Sequence, residues 1–223
     1  MHVPDGYLST PTSAATAAVA VAGLAWAVRR SRSRPDESDG VPLVGLVAAF
    51  VFASQMVNVS AGSGTSGHLM GGALAAVLLG PALAVVCMAG VLAVQALVFA
   101  DGGIAALGTN VVLMALVGVA VGWGVSRLVL RLVPGTAVGV AAAGAAGALA
   151  SVPASAMVFV GLYALGGHHD VPVAQLAGDM LGTHVVIGLG EAVATAVVVA
   201  AVALSRPDLV LGVRRPLVGS GVR

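Results

Sequence analysis

Long apolar stretches, separated by short polar or glycine-rich breaks, follow one another from Leu8 to Leu204. A helix that crosses a bilayer needs about 20 consecutive, mostly apolar residues. The pattern therefore predicts seven helical segments, at residues 8–28, 41–57, 68–79, 82–100, 104–126, 136–165 and 180–205. The predicted fold class is all-α: a polytopic helical membrane protein with about seven transmembrane helices.

The third segment, residues 68–79, is too short to cross a membrane. Its twelve residues span about 18 Å as a helix, against about 30 Å for the hydrocarbon core. Irregular backbone at membrane depth is tolerated only inside protein or around a cavity. We therefore predict that residues 58–68, which include Gly64-Thr65-Ser66-Gly67-His68, form a loop buried in the bundle.

Composition supports a place in the cell membrane. Hydrophobic residues make up 59% of the chain and charged residues only 9%, which is far less charge than the surface of a soluble domain requires. The basic residues do not alternate with aromatic ones, so no nucleic-acid surface is expected. Cys87 is the single cysteine and predicts neither a disulfide nor a thiolate zinc site.

Charge predicts the orientation of the chain. A seven-segment topology places all ten arginines on one side, which the positive-inside rule makes cytoplasmic. The N-terminus is then outside and the C-terminus cytoplasmic, with one transmembrane domain over residues 1–205 and a cytoplasmic tail over 206–223. The five histidines fall at or near the outer side: His2, His68, His168, His169 and His184.

The second position of the chain has chelating chemistry. The α-amino group of Met1, the amide nitrogen of His2 and its ring Nδ1 can bind one metal ion through fused five- and six-membered rings. Planar nitrogen ligation is typical of Ni(II) and Cu(II). His68, on the same predicted side, is the candidate fourth ligand. Residues 1–7 are therefore a candidate N-terminal metal-binding segment.

Further polar residues in or near the predicted spans are candidates for a supporting role around that metal. Ionisable groups at such depth usually face the protein interior, and partners that orient the ligands matter nearly as much as the ligands themselves. For Asp101 a plain turn role before Gly102-Gly103 is the alternative. We expect His168-His169-Asp170 to be an exposed loop. The supporting candidates are Gln95, Asp101, Asn110, His184 and Glu191.

Four strings in the sequence resemble, in order, the signatures of the CbiM/NikM family, the cobalt/nickel substrate-capture subunits of energy-coupling-factor transporters. They begin with Met1-His2-Val3-Pro4-Asp5-Gly6-Tyr7-Leu8-Ser9. Next come Gly64-Thr65-Ser66-Gly67-His68-Leu69 with Gly71-Gly72-Ala73-Leu74. The third is Gln95-Ala96-Leu97 with Asp101-Gly102-Gly103-Ile104 and Leu107-Gly108-Thr109-Asn110. The last runs from His184 through Gly188-Leu189-Gly190-Glu191.

The resemblance implies a Ni(II) or Co(II) ion as transported substrate, held by the Met1 amine, the His2 amide and ring nitrogens, and His68. It also implies partners: a transmembrane coupling protein, two cytoplasmic ATPase subunits and a small accessory membrane subunit. Two departures from the family pattern stand out. Ala100 replaces a frequent Gly, and residues 130–165 match poorly, which leaves the surface for the coupling protein undefined.

Two other functions are compatible with parts of the sequence. Gly64-Thr65-Ser66-Gly67 fits the GxSG element of rhomboid-like intramembrane serine proteases, in which Ser66 at a helix start would be activated by His184. That hypothesis leaves the N-terminal string and His68 unexplained. A vitamin-binding subunit of the same transporter class would need a pocket lined with aromatic rings, and only 4% of the residues are aromatic.

Overall fold

The computed structural model describes residues 2–32, 40–62 and 65–212, and these residues form seven helices, one short β-hairpin and a turn of 3-10 helix at Pro207–Leu209. Each predicted segment corresponds to one helix, so the all-α fold is confirmed, with the hairpin as an addition. The helices are α1 (Thr10–Arg32), α2 (Gly40–Gln55), α3 (Gly72–Leu79), α4 (Pro81–Val98), α5 (Leu107–Val129), α6 (Ala137–Gly166) and α7 (Val173–Ser205). The hairpin pairs β1 (Val59–Gly62) with β2 (Thr65–Gly67).

Five helices, α1, α4, α5, α6 and α7, are long and apolar enough to cross a membrane. The third segment is short, as predicted: α3 has eight residues, about 12 Å of helix. All eight are buried, so α3 forms the centre of the bundle. It begins after Gly71, whose φ of +79° suits glycine, and Pro81 ends the segment by opening α4.

Helix α7 begins at Val173, seven residues before the predicted start at 180. The break predicted between the segments 136–165 and 180–205 is therefore only the stretch 167–172. The polar residues Gln175 and Asp179 made the first turns of this helix resemble a loop. A helix of 33 residues is about 50 Å long, however, and is therefore longer than the hydrocarbon core of about 30 Å. Polar residues are tolerated in the part that extends beyond the core.

The segment predicted as an irregular loop, residues 58–68, contains an antiparallel hairpin. Val59 pairs with Gly67 and Ser60 with Ser66, with an irregularity before Gly62. Pairing satisfies main-chain amides and carbonyls that could find no water at membrane depth. Gly67 and His68 are buried, as predicted for this segment, whereas Gly64 lies outside the described residues.

Arginines and the N-terminal segment lie at opposite ends of the bundle. The N-terminal segment meets the connections α4–α5 and α6–α7, through bonds such as Gly103 to Val3 and Ser9 to Gly166. Helices α1, α5 and α7 begin at that end and carry arginine at or just beyond the other. The described arginines there are Arg29, Arg30, Arg32, Arg127, Arg131 and Arg206; Arg34, Arg214, Arg215 and Arg223 lie outside the described residues.

Ala100, between α4 and Asp101, is the one described non-glycine residue with a positive φ, at +52°. A Cβ in this left-handed region costs roughly 1–2 kcal/mol. Ala100→Gly should therefore raise the free energy of unfolding by about 0.5–1 kcal/mol, after the larger chain entropy of unfolded glycine is subtracted. Thermal unfolding in detergent measures the effect. Ala18→Gly is the control: Ala18 is exposed within α1, and the change there should lower the free energy of unfolding by about 1 kcal/mol. If both changes moved the free energy of unfolding in the same direction, the explanation would be refuted.

Candidate metal centre

The N-terminal segment, residues 2–9, is anchored to the bundle by its main chain. The Val3 amide donates to Asn110 Oδ1 at 2.8 Å, and Asn110 Nδ2 donates back to the Val3 carbonyl at 3.2 Å. The Gly103 amide donates to the same carbonyl at 3.0 Å. The Val3 side chain is only 2% exposed. Asn110, predicted as a supporting residue, therefore holds the terminus one residue after His2.

Asp5 and Tyr7 fix the register of this segment. The Asp5 carboxylate accepts hydrogen bonds from the amides of Ile104 and Ala106, at 3.2 and 3.1 Å. The Tyr7 ring packs against Phe159 and Tyr163, with ring centroids 5.7 and 5.6 Å away. Neither role was derived from the residues alone, because both depend on partners about 100 or more positions away.

His2 lies between Gln95 and Asp101, with its side chain 5% exposed. Its Nε2 is 3.2 Å from Gln95 Oε1, so the Nε2–H donates there and Nδ1 keeps its lone pair. Nδ1 is 3.3 Å from Asp101 Oδ1 but lacks a hydrogen-bonded partner among the described residues. Burial lowers the pKa of His2 to about 4. An unprotonated ring nitrogen, available as a ligand, therefore lies beside a carboxylate oxygen.

Gly102 allows this approach. Its φ is +87°, and a Cβ there would lie 3.2 Å from His2 Cδ2 and 3.0 Å from Asn110 Nδ2. A side chain would therefore strain the backbone and push against the two residues that position the terminus. The turn role considered for Asp101 and the supporting role are compatible, because this turn brings its carboxylate to His2.

His68 stacks on His2, with ring centroids 4.6 Å apart and an angle of 29° between the planes. It is 1% exposed. The His68 Nδ1–H donates to the Leu69 carbonyl at 2.7 Å, which leaves Nε2 bare and without a partner in the described part of the chain. Burial lowers the pKa of His68 well below its usual value, so this ring is also neutral at pH 7. A ring nitrogen held by a carbonyl while the other is free is the usual arrangement of a metal-ligating histidine.

The main chain after His68 is clamped between α2 and α7. The Glu191 carboxylate, 2% exposed, accepts hydrogen bonds from the amides of Met70 at 2.5 Å and Gly71 at 3.0 Å. From the opposite side, Gln55 Nε2 donates to the Met70 carbonyl at 2.7 Å. Glu191 therefore holds the main chain two residues beyond His68. Sequence reasoning missed Gln55, although a glutamine closing an apolar helix was a signal.

His184 is fully buried in α7. Its Nδ1–H donates to the Met180 carbonyl at 2.7 Å, and Nε2 has no partner among the described residues. A Cβ placed on Gly67 would lie 3.3 Å from that nitrogen, so His184 lies beside the strand that leads into His68. It therefore lies near His68, and the supporting role predicted for it stays a prediction.

His168 and His169 are exposed, as predicted for that loop. The His169 ring packs on Tyr7, with centroids 4.6 Å apart. Met1, the remaining candidate ligand, lies outside the described residues. Within those residues, no group of three or more His, Cys, Asp or Glu side chains could hold a metal ion.

Comparison with known proteins points to metal transport. Residues 2–209 match the family described as CbiM, cobalt uptake substrate-specific transmembrane region. A putative metal transport protein of Haloquadratum walsbyi is 38% identical in a 219-residue alignment that covers 94% of this chain and 93% of that protein. A putative fused nickel transport protein NikMN of Archaeoglobus fulgidus is 40% identical over 213 residues, 94% of this chain and 68% of that protein. The crystal structure of a truncated transition metal transporter has a TM-score of 0.81 at 36% identity, covering 92% of this chain and 99% of that one.

These matches give the serine protease alternative no support. The structure also places Ser66 in strand β2, whereas that alternative required a serine at a helix start. The long apolar helices and the family match both indicate a multi-pass membrane protein. Because the family match extends over nearly the whole chain, this protein belongs to the CbiM family of cobalt uptake substrate-specific transmembrane proteins.

Proposed function

We propose that this protein captures one Ni(II) or Co(II) ion from outside the cell for uptake. The ligands are the Met1 amine, the His2 amide and Nδ1, and His68 Nε2. The observation that carries the proposal is the stacked pair of buried imidazoles, His2 and His68, each with one ring nitrogen donating to an oxygen and the other bare. The fused nickel transport protein among the relatives supports nickel, and the family description supports cobalt.

Charge balance supports the same ligand set. A divalent ion brings two positive charges into a buried place, where uncompensated charge is costly. Deprotonation of the His2 amide supplies one negative charge, and Asp101, with an oxygen 3.3 Å from His2 Nδ1, supplies the other. The loaded centre is then neutral overall. Asp101 in this account compensates charge and orients the His2 ring without ligating the ion.

The ion enters from the end that holds the N-terminal segment. The described arginines lie at the other end, which the positive-inside rule assigns to the cytoplasm. Residues 1–205 then form one transmembrane capture domain, in which residues 1–7 carry the metal-binding nitrogens. The tail from residue 206 onward is cytoplasmic.

Energy for uptake comes from partner proteins. The sequence has no lysine and no Gly-Lys-Ser/Thr phosphate-binding loop, so we assign ATP hydrolysis to two separate ATPases, coupled through a transmembrane protein and an accessory membrane subunit.

In liposomes this chain alone should bind Ni(II) or Co(II) but should not accumulate it against a gradient. Uptake of radioactive metal into the liposomes measures the accumulation. Liposomes that also contain the coupling proteins and ATP are the positive control. Sustained accumulation by the chain alone would instead indicate a secondary transporter.

Glu191→Gln should weaken metal binding about 10–100-fold, as loss of a residue that orients ligands does, while the protein stays folded. The neutral amide can accept from only one of the two main-chain amides that the carboxylate now holds, so His68 loses its fixed position. Equilibrium dialysis with Ni(II) measures the change. Thr195→Val, also buried in α7, is the matched control and should leave affinity unchanged. An affinity of Glu191→Gln within twofold of the original would remove Glu191 from the support of the centre.

A further inference from the structure

His184 has a ligand nitrogen that the proposed capture site does not use. The residue is completely buried in α7, and its Nε2 has no hydrogen-bond partner among the described residues. A buried polar atom without a partner destabilises the folded protein. Asparagine at this position could keep the bond to the Met180 carbonyl without leaving a bare ring nitrogen. Packing alone therefore does not explain the imidazole.

The position of His184 links it to His68. A Cβ on Gly67 would be 3.3 Å from His184 Nε2 and also 3.3 Å from Cε1, so the ring edge faces the main chain immediately before His68. The two rings share one arrangement: each donates Nδ1–H to a main-chain carbonyl at 2.7 Å and leaves Nε2 bare. Both are thus prepared for the same chemistry, which is ligation of a divalent transition metal by neutral imidazole.

The nearby groove offers weaker competing ligands. It has a volume of about 560 Å³ and is lined by His68, by Ser54 of α2, and by three α7 residues close to His184 in sequence, Thr183, Val186 and Ile187. Apart from His68, its side chains are apolar or carry hydroxyls, which bind nickel and cobalt poorly compared with imidazole. His184 does not itself line the groove, but its Nε2 lies beside Gly67, the residue before His68.

We propose that His184 Nε2 is a transfer ligand, which binds the metal together with His68 Nε2 after the ion has left the N-terminal chelate. This inference rests on the proposed function. In the transfer, the metal's bonds to the Met1 amine, the His2 amide and His2 Nδ1 break, a bond to His184 Nε2 forms, and the amide nitrogen takes a proton from solvent. Two neutral imidazoles hold a divalent ion less tightly than a four-nitrogen chelate, so the ion at His68 and His184 is ready for release.

Dissociation kinetics test the transfer role. His184→Asn keeps a donor for the Met180 carbonyl but has no ring nitrogen, and His168→Ala removes an exposed histidine as the control. Native protein is loaded with Ni(II), and its loss to excess EDTA is followed. His184→Asn should release the metal at least fivefold more slowly than the original, with an equilibrium Kd unchanged within about threefold. His168→Ala should match the original in both.

Binding without the chelate gives a second test. In a His2→Ala protein, the weak residual binding of Cu(II) should involve two imidazoles, which pulsed electron paramagnetic resonance counts through their remote ring nitrogens. Adding His184→Asn should remove one imidazole and weaken residual binding at least tenfold. Should His184→Asn fail to fold, the imidazole count in His2→Ala alone decides, and one imidazole there would refute the inference.

The two proposals fail in distinguishable ways. Native protein that binds neither Ni(II) nor Co(II) would overturn the capture function itself. Native protein that binds metal, combined with an unchanged release rate in His184→Asn and one imidazole in His2→Ala, would overturn only the role of His184.

Discussion

His68→Ala should abolish tight binding of Ni(II) and Co(II), with affinity at least about 100-fold weaker, while the protein stays folded. Loss of a ligand exceeds the 10–100-fold effect typical of residues that only orient ligands. The fold tolerates the change because the chain after His68 is held independently, by Glu191 at the Met70 and Gly71 amides and by Gln55 at the Met70 carbonyl. The change removes the bond from His68 to Leu69 and the ring contact with His2, but none of these main-chain anchors.

Equilibrium dialysis measures this effect, and the thermal unfolding midpoint verifies the fold. His168→Ala is the matched control, because that side chain is exposed and takes no part in the centre; it should bind metal as the original does. Equal metal content in His68→Ala and the original would exclude His68 from the site.

One glycine added before Met1 should reduce affinity as much as His2→Ala does, although it removes no side chain. The extension turns the Met1 amine into an amide and moves His2 to the third position, so the fused chelate rings cannot form. Acetylation of the native terminus should act alike, since it removes the basic amine. The Val3 main chain and the Asp5 carboxylate still anchor residues 3–9, so the loss reflects the chelate and not an undocked segment.

Acidification separates this chelate from simple binding by two imidazoles. With a pKa of about 4, His2 stays neutral between pH 8 and pH 6, and burial keeps His68 neutral there as well. A free α-amino group has an ordinary pKa of about 7.7–8.0, and the amide must lose a proton to bind. Affinity of the native protein should therefore fall steeply from pH 8 to pH 6. A flat profile over that range, or equal Kd values for the native and extended proteins, would refute the chelate.

Much of the fold could be predicted from the apolar pattern, because membrane-spanning helices are long and continuous. The pattern gave no sign of the β1–β2 hairpin, since Gly and Ser in residues 58–68 suggest only irregular backbone. It also placed the start of α7 too late, because Gln175 and Asp179 interrupt an apolar run without ending a helix. Both errors concern segments whose structure depends on contacts beyond the local sequence.

The sequence was sufficient to predict which residues belong to the centre, but not which atoms of these residues contact one another. His2, His68, Gln95, Asp101 and Asn110 stood out because polar groups are rare in so apolar a chain, and the structure brings them together. Which atoms meet could not be read from spacing: Asn110 bonds Val3 across 107 positions and Glu191 bonds Met70 across 121. Gln55 was missed because its role requires knowing that the Met70 carbonyl faces α2.

The most direct test of the account is the metal content of purified protein whose N-terminus is native and untagged. After exposure to Ni(II) or Co(II) and removal of loosely bound ions, the account predicts one metal ion per chain, and close to none in a His2→Ala, His68→Ala double variant. A native protein without retained metal, or a double variant that retains as much as the native protein, would contradict it.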